Sequence, residues 1–127
     1  MSQGKWLPLN NLRMTREGRW ESSVQLRSSS EWFTGHFDEC PLLPGVAPLA
    51  LAAETVKRHG RQQERLLEVS GFFSVRFRRL VLPGEELLIS VDAMPPESEA
   101  TLDFHVTCHG DTVVRGKLKA TEELPGG

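Results

Sequence analysis

His36 is flanked by Gly35 and Phe37, and a proline-bearing loop carries the chain from there through Pro41 and Pro44 to Gly45. Pro44-Gly45 reads as the entrance to a helix, with glycine giving the turn freedom and close approach. The first N–H groups of a helix have no partner within it and carry a partial positive charge, so they can receive an oxygen anion. A histidine beside such a terminus is one half of an acid–base site. The plainer alternative is a structural histidine hydrogen-bonded to its own loop, and position alone does not separate the two. Glu54, further along the same helix, has an ordinary use as an ion-pair partner of Arg58 or Lys57 at helical spacing. Cys40 reads as a small loop residue, with a reactive thiol near the helix N-terminus as its functional alternative. His59, His105 and His109 fall on a helix end, a strand and a turn. No spacing joins them into a metal set, so they read as surface or packing residues.

The rest of the chain must position these groups. Residues 1–17 form an arm with at most a short strand or turn, because Pro8 and Asn10-Asn11 oppose a long regular element. Residues 19–29 alternate, with Trp20, Ser22, Val24 and Leu26 on one face, and predict a half-buried strand. The helix is expected over residues 46–58. Val46, Leu49, Ala50, Ala53 and Val56 make one apolar stripe, widened by Leu51 and Ala52. Pro48 is tolerated in its first turn, and Gly60 is the expected stop. Strands follow over residues 66–79, with Gly71 as a bulge or bend, then over 86–93, 101–109 and 112–121. Phe73, Val75 and Phe77 alternate with Ser74, Arg76 and Arg78. The turns between strands are Pro83-Gly84, a loop at 95–99 and Gly110-Asp111; residues 122–127 are a frayed tail. One strand, one long helix and then a run of strands predict a single α+β domain over residues 1–127.

Composition narrows the function classes. A chain of 127 residues suits one core. A formal net charge of −2 gives no electrostatic case for nucleic acid or an anionic membrane. No apolar run approaches a membrane span, and the N-terminus has no signal-peptide pattern. Cys40 and Cys108 are too few and too unpatterned for a disulfide framework or a zinc site. The expectation is a cytoplasmic protein without metal or cofactor.

Two blocks carry a family resemblance. Gly35-His36-Phe37 followed by Pro41, Pro44, Gly45 and Val46 resembles the G-H-F-P-x-x-P-x-x-P-G-V block of the 3-hydroxyacyl-acyl-carrier-protein dehydratases of the hotdog fold, the FabZ and FabA type. The segment from Val75 to Leu87, with Pro83-Gly84, resembles their F-x-x-P-V-x-P-G-D-x-L strand and turn. With the order of elements, the resemblance covers roughly residues 18–121. The N-terminal region lacks the family's L-P-H-R segment, which looks more like the divergent dehydratases of aryl-polyene and polyketide-type pathways.

The resemblance implies a hotdog fold, in which a curved antiparallel sheet wraps one long central helix and two subunits join edge to edge. It implies elimination of water from a 3-hydroxyacyl thioester to give a trans-2-enoyl thioester. The substrate would ride on the phosphopantetheine arm of an acyl-carrier protein, or on coenzyme A. His36 matches the family's base and the Gly45 N–H its oxyanion donor; Phe37, Pro44 and Val46 match the substrate-binding surround. The family's acid, a Glu or Asp on the helix, corresponds here to Ala50, which cannot transfer a proton. Three readings follow. Glu54 substitutes from one turn along, or Asp38 or Glu39 serves from the loop, or the chain is a non-catalytic acyl-binding or partner subunit. A hotdog thioesterase is a further alternative. Arg76, Arg78 and Arg79 are either a solvated strand face or, for Arg78 and Arg79 especially, a surface for phosphopantetheine or an acidic carrier protein. A homodimer is the expected assembly, with a heterodimer with another hotdog subunit as its alternative.

Overall fold

The computed structural model describes residues 10–25, 46–79, 81 and 85–123, with the backbone alone at 10, 11, 46 and 47. Their order is β1 (Asn10–Met14), β2 (Arg19–Gln25), α1 (Val46–Gln62), β3 (Leu67–Phe77), β4 (Glu86–Asp92), β5 (Glu99–Cys108) and β6 (Asp111–Glu122). The six strands make one sheet in the order β1-β2-β4-β5-β6-β3, and every neighbouring pair is antiparallel. Helix α1 lies mainly on β3, β4 and β2 and also reaches β1 and β5. One helix held by most of the strands of a single sheet is the expected α+β arrangement.

Strict alternation puts the core where the period-two pattern predicts it in the central strands. Trp20 and Val24 of β2, Leu87, Ile89 and Val91 of β4, and Leu102, Phe104, Val106 and Cys108 of β5 are all buried. The short strand anticipated in the N-terminal region is β1, which forms the sheet edge beside β2. Gly71 does sit at a bulge, where the register between β3 and β6 shifts.

Several boundaries and faces differ from expectation for identifiable reasons. The helix runs past Gly60 to Gln62. It stops at Glu64, which takes φ 60°. The Arg65 N–H then donates to the Gly60 carbonyl at 2.8 Å and the Glu64 N–H to the Arg61 carbonyl at 2.9 Å. These are the two bonds of a Schellman cap, here with glutamate in the left-handed position. Gly60 has another purpose: a Cβ there would meet the Leu67 side chain at 2.8 Å. It lets the helix end approach β3 closely.

The β5–β6 hairpin turns at His109-Gly110, one residue earlier than expected, with φ of 53° and 85°. Two positive φ values are what a two-residue type I′ turn demands. In β3 a second register shift falls between Phe73 and Arg76. Ser74 takes φ 55° there. This breaks the alternation expected for Phe73, Val75 and Phe77. Val75 packs on the core, while Phe73 and Phe77 are 43% and 50% exposed.

The helix buries only part of the stripe expected, and adds polar residues to it. Leu51, Ala52, Thr55, Val56 and His59 are buried, whereas Leu49, Ala50 and Ala53 are half-buried. At the C-terminus, Glu122 belongs to β6 and pairs with Arg65 at 2.8 Å, and the Glu123 N–H donates to the Leu66 carbonyl at 2.8 Å. The anchored chain thus extends beyond the expected end of the last strand.

The Gly60 contact gives a stability test. Gly60→Ala forces its methyl against Leu67 and should cost about 1–3 kcal/mol in urea denaturation. Gly71→Ala, whose Cβ meets nothing within 4 Å, should be neutral or slightly stabilising. Equal stabilities for the two variants would remove close approach as the reason for Gly60.

Candidate active site

Helix α1 is the scaffold of the candidate site. Pro48 is buried in its first turn, where the missing N–H has no intrahelical partner to lose. Val46 opens the helix. His36, Phe37, Pro44 and Gly45 lie outside the described residues, as do Asp38, Glu39 and Cys40. The described part of the candidate site is therefore the helix from Val46 through Ala50 to Glu54, with Arg58 behind it.

Glu54 is 5% exposed. Arg58 Nε donates to its Oε2 at 2.8 Å, and the Arg58 side chain is itself mostly covered. The i+4 pairing expected for an ordinary glutamate is present, but on a buried stretch and not on the exposed one anticipated. Helical geometry explains this. At 3.6 residues per turn, Glu54 is rotated about 40° from Ala50 toward the side carrying Leu51. The carboxylate thus lies between the half-buried Ala50 face and the core face, and Arg58 supplies the charge that burial requires.

Behind the helix runs a polar seam that the sequence pattern did not single out. The Thr55 hydroxyl donates to the Leu51 carbonyl at 2.8 Å and lies 2.6 Å from the Ser22 hydroxyl. With Thr55 donating to Leu51, Ser22 donates to Thr55. One turn on, the His59 ring stacks on Trp20, with centroids 5.1 Å apart and planes 4° from parallel. His59 Nε2 lies 2.9 Å from the Glu21 carbonyl. A carbonyl only accepts, so Nε2 carries the proton. The one sequence signal was the recurrence of Trp20 and Ser22 on the inward face of β2.

Arg78 and Arg79 follow the end of β3 and so are not part of a strand face. The Arg78 N–H donates to the Val113 carbonyl at 2.7 Å, and its side chain is exposed. Arg79 Nη2 donates to Glu85 at 2.7 Å, and this carboxylate raises the arginine's pKa. Glu85, Cys108 and His109 bring donor atoms within 4.8 Å of one another. A cation there would compete with the Arg79 guanidinium for Glu85. Burial pushes the Cys108 thiol's pKa up, so it is held as a thiol.

Comparison with known proteins decides the family. A family model described as ApeI-like dehydratase matches residues 12–117. The chain belongs to the ApeI-like dehydratase family. Among curated proteins it is 33% identical over 109 residues to the 3-hydroxyacyl-[acyl-carrier-protein] dehydratase FabZ of Histophilus somni, covering 80% of this chain and 72% of that protein. Among solved structures it resembles a chain of the dehydratase heterocomplex ApeI:P from Xenorhabdus doucetiae, with TM-score 0.67 and 25% identity over 89% of this chain and 96% of that one. The E. coli PaaI protein from the phenylacetic acid degradation operon superposes with TM-score 0.73 at 15% identity, over 98% of this chain and 86% of that one. At that identity the likeness is one of fold. The architecture is the hotdog, and the chain is an ApeI-like dehydratase. No helix among its described residues is long and apolar enough to cross a membrane.

The buried His59 and the half-buried His105 set a pH dependence of stability. Burial lowers the pKa of His59 against its carbonyl bond, and burial, then Arg115 and Arg19, lower that of His105. For both, the unfolded state takes up protons first as pH falls below the ordinary histidine value of about 6.5. Stability present above that value is therefore lost as pH drops toward the folded-state values. Melting temperature should fall between about pH 7.5 and 5.5, and His59→Gln should flatten the slope whatever its effect on the absolute value. A slope unchanged in both His59→Gln and His105→Gln would refute the assignment.

Proposed function

We propose that this ApeI-like dehydratase removes water from 3-hydroxyacyl thioesters held on an acyl-carrier protein and yields trans-2-enoyl thioesters. The observation that carries this reading is the family match over residues 12–117, which spans both His36 and the Pro44-Gly45 helix entrance. The FabZ relatives named for that reaction support it.

The chemistry needs a base for the C2 proton, a donor for charge gathering on the thioester oxygen, and an acid for the departing hydroxyl. We assign the base to His36 and the donor to the Gly45 N–H. Phe37, Pro44 and Val46 shape the acyl site. Arg78, with its exposed side chain, is the better of the two arginines for a carrier's phosphate, because Arg79 is already engaged by Glu85. No metal or cofactor is needed for an elimination of this kind. We place the protein in the cytoplasm with its carrier.

The acid is the open position. Glu54 is the helix carboxylate one turn beyond Ala50, but its oxygen accepts from Arg58. Held that way it is an acceptor, and to serve as the acid it must first take a proton and loosen that bond. This favours a second reading in which another hotdog subunit supplies the acid across an interface. The neighbour from Xenorhabdus doucetiae is described as a heterocomplex, which supports it. Strand β3 supports subunit pairing in either form: it ends the sheet and carries the exposed Phe73 and Phe77. A homodimer joined along β3 is the simpler assembly.

The test is mass spectrometry of 3-hydroxyacyl thioesters, carrier-bound and coenzyme-A-bound, incubated with the protein. Loss of one water, reversible from the enoyl thioester, is expected; release of free thiol would mean a thioesterase, and no change in any thioester would defeat the reading. His36→Ala should abolish turnover. Glu54→Gln should lower it by about 10²-fold if Glu54 is the acid. A wild-type rate in Glu54→Gln, raised further by adding a second hotdog chain, would assign the acid to the partner.

A further inference from the structure

The face of the sheet turned away from α1 carries a row of residues fixed by strand register. Arg76 of β3 sits opposite Arg115 of β6, Arg115 opposite His105 of β5, and His105 opposite Ser90 of β4. Like charges directly opposite on antiparallel strands are destabilising. Here two arginines face each other and a histidine follows them.

Arg76, Arg115 and His105 line an open groove of about 410 Å³ together with Arg19, Asp103 and Lys117. The charges can be assigned. Arg19 pairs with Asp92, and Lys117 with Asp103 at 2.7 Å. Glu21, which lies across β2 from Ser90, is taken by Arg13 at 2.9 Å. Arg76 and Arg115 make no ion pair among the described residues. His105 Nε2 is bound to the Thr112 hydroxyl at 2.8 Å, and the histidine remains neutral near pH 7. Two positive charges, on adjacent strands and in one groove, are therefore without an ion-pair partner among the described residues, the groove's Asp103 being held by Lys117.

We propose that this groove binds a phosphate dianion, either free phosphate or the terminal monoester of a small molecule, on the sheet face opposite the dehydratase helix. The charge balance matches: a dianion neutralises Arg76 and Arg115 and removes their mutual repulsion. The geometry of the donors matches as well, since guanidinium forks pair with phosphate oxygens through two parallel hydrogen bonds. The neighbouring Arg19 and Lys117 are held by Asp92 and Asp103 and add positive field to the groove. The inference is independent of the dehydration chemistry, which lies on the helix side.

The experiment is a titration of ¹⁵N-labelled protein with inorganic phosphate at pH 7.5, with ionic strength held constant by chloride. Saturable shifts at the amides of Arg76, His105 and Arg115, and a rise in melting temperature, are expected. Arg115→Gln and Arg76→Gln should each weaken binding about tenfold or more. In phosphate-free buffer each variant should melt no lower than the parent, because it relieves the like-charge pair, so lost binding cannot be ascribed to unfolding. Adenosine 5′-monophosphate distinguishes the sources: tighter binding than phosphate indicates an ester ligand, equal binding the free anion. Shifts no greater than with chloride, or variants that bind as the parent does, would overturn the proposal. So would a purified acyl-carrier protein that shifts these amides when neither phosphate probe does.

Discussion

Everything in this fold depends on covering one helix. Leu51, Ala52 and Val56 are fully excluded from solvent, and the sheet residues that exclude them come from strands far apart in sequence. Replacing a buried leucine such as Leu51 with alanine costs about 2–5 kcal/mol in general, a large share of the stability of a domain this size. The packing of α1 on the sheet is thus the contact that the caps, bulges and turns serve. The Glu64 cap ends the helix so that Gly60 can meet Leu67, and the bulges in β3 keep Val69, Phe72 and Val75 against the core cluster while the strand bends.

That packing includes a polar component. A threonine, a serine and a histidine lie among apolar side chains between α1 and β2, and such groups are tolerated in a core only when their hydrogen bonds are made. Thr55 and Ser22 satisfy each other, and His59 reaches a strand carbonyl while its ring fills space against Trp20. Each bond ties a helix turn to a β2 position, so the seam fixes the helix along its axis, which apolar packing alone does only loosely. It also fixes the rotation of the helix and with it the direction in which Ala50 and Glu54 face.

The parts of this architecture that were legible in the sequence are those governed by simple periods. Alternation in β2, β4 and β5 located the inward residues because those strands are central and regular. Gly71 announced its bulge. The second β3 bulge was not legible, since Ser74 adopts a left-handed conformation without being a glycine, and the faces assigned to Phe73 and Phe77 failed with it. The helix end was misread for the converse reason: a glycine used for close packing looked like a stop, and the real cap is a glutamate. The helix stripe was legible only in part: Leu51, Ala52 and Val56 are buried as expected, but α1 is apolar over more than one face, so periodicity could not tell that Leu49, Ala50 and Ala53 would be half-buried and Thr55 and His59 buried. Of the candidate site, the Glu54–Arg58 pair was legible from its spacing, but its burial was not, because burial comes from the strands packed around it.

The two stripes also explain how the fold persists with alanine at position 50. The core face runs through Leu51, Thr55 and His59, and Ala50 lies about 100° of helical rotation away from Leu51. The side chain at position 50 makes little of the core, so it can change without disturbing the helix or the seam. Glu54, rotated toward the core, is different. Its charge is buried and matched by Arg58, so removing Arg58 takes away the carboxylate's ion-pair partner, a change that typically costs about 3–5 kcal/mol when the pair is fully enclosed and less here, where Arg58 keeps some solvent contact. The stability of the helix therefore constrains Glu54 and leaves position 50 free. The side chain at position 50 can therefore change while the packing of α1 on the sheet stays as it is.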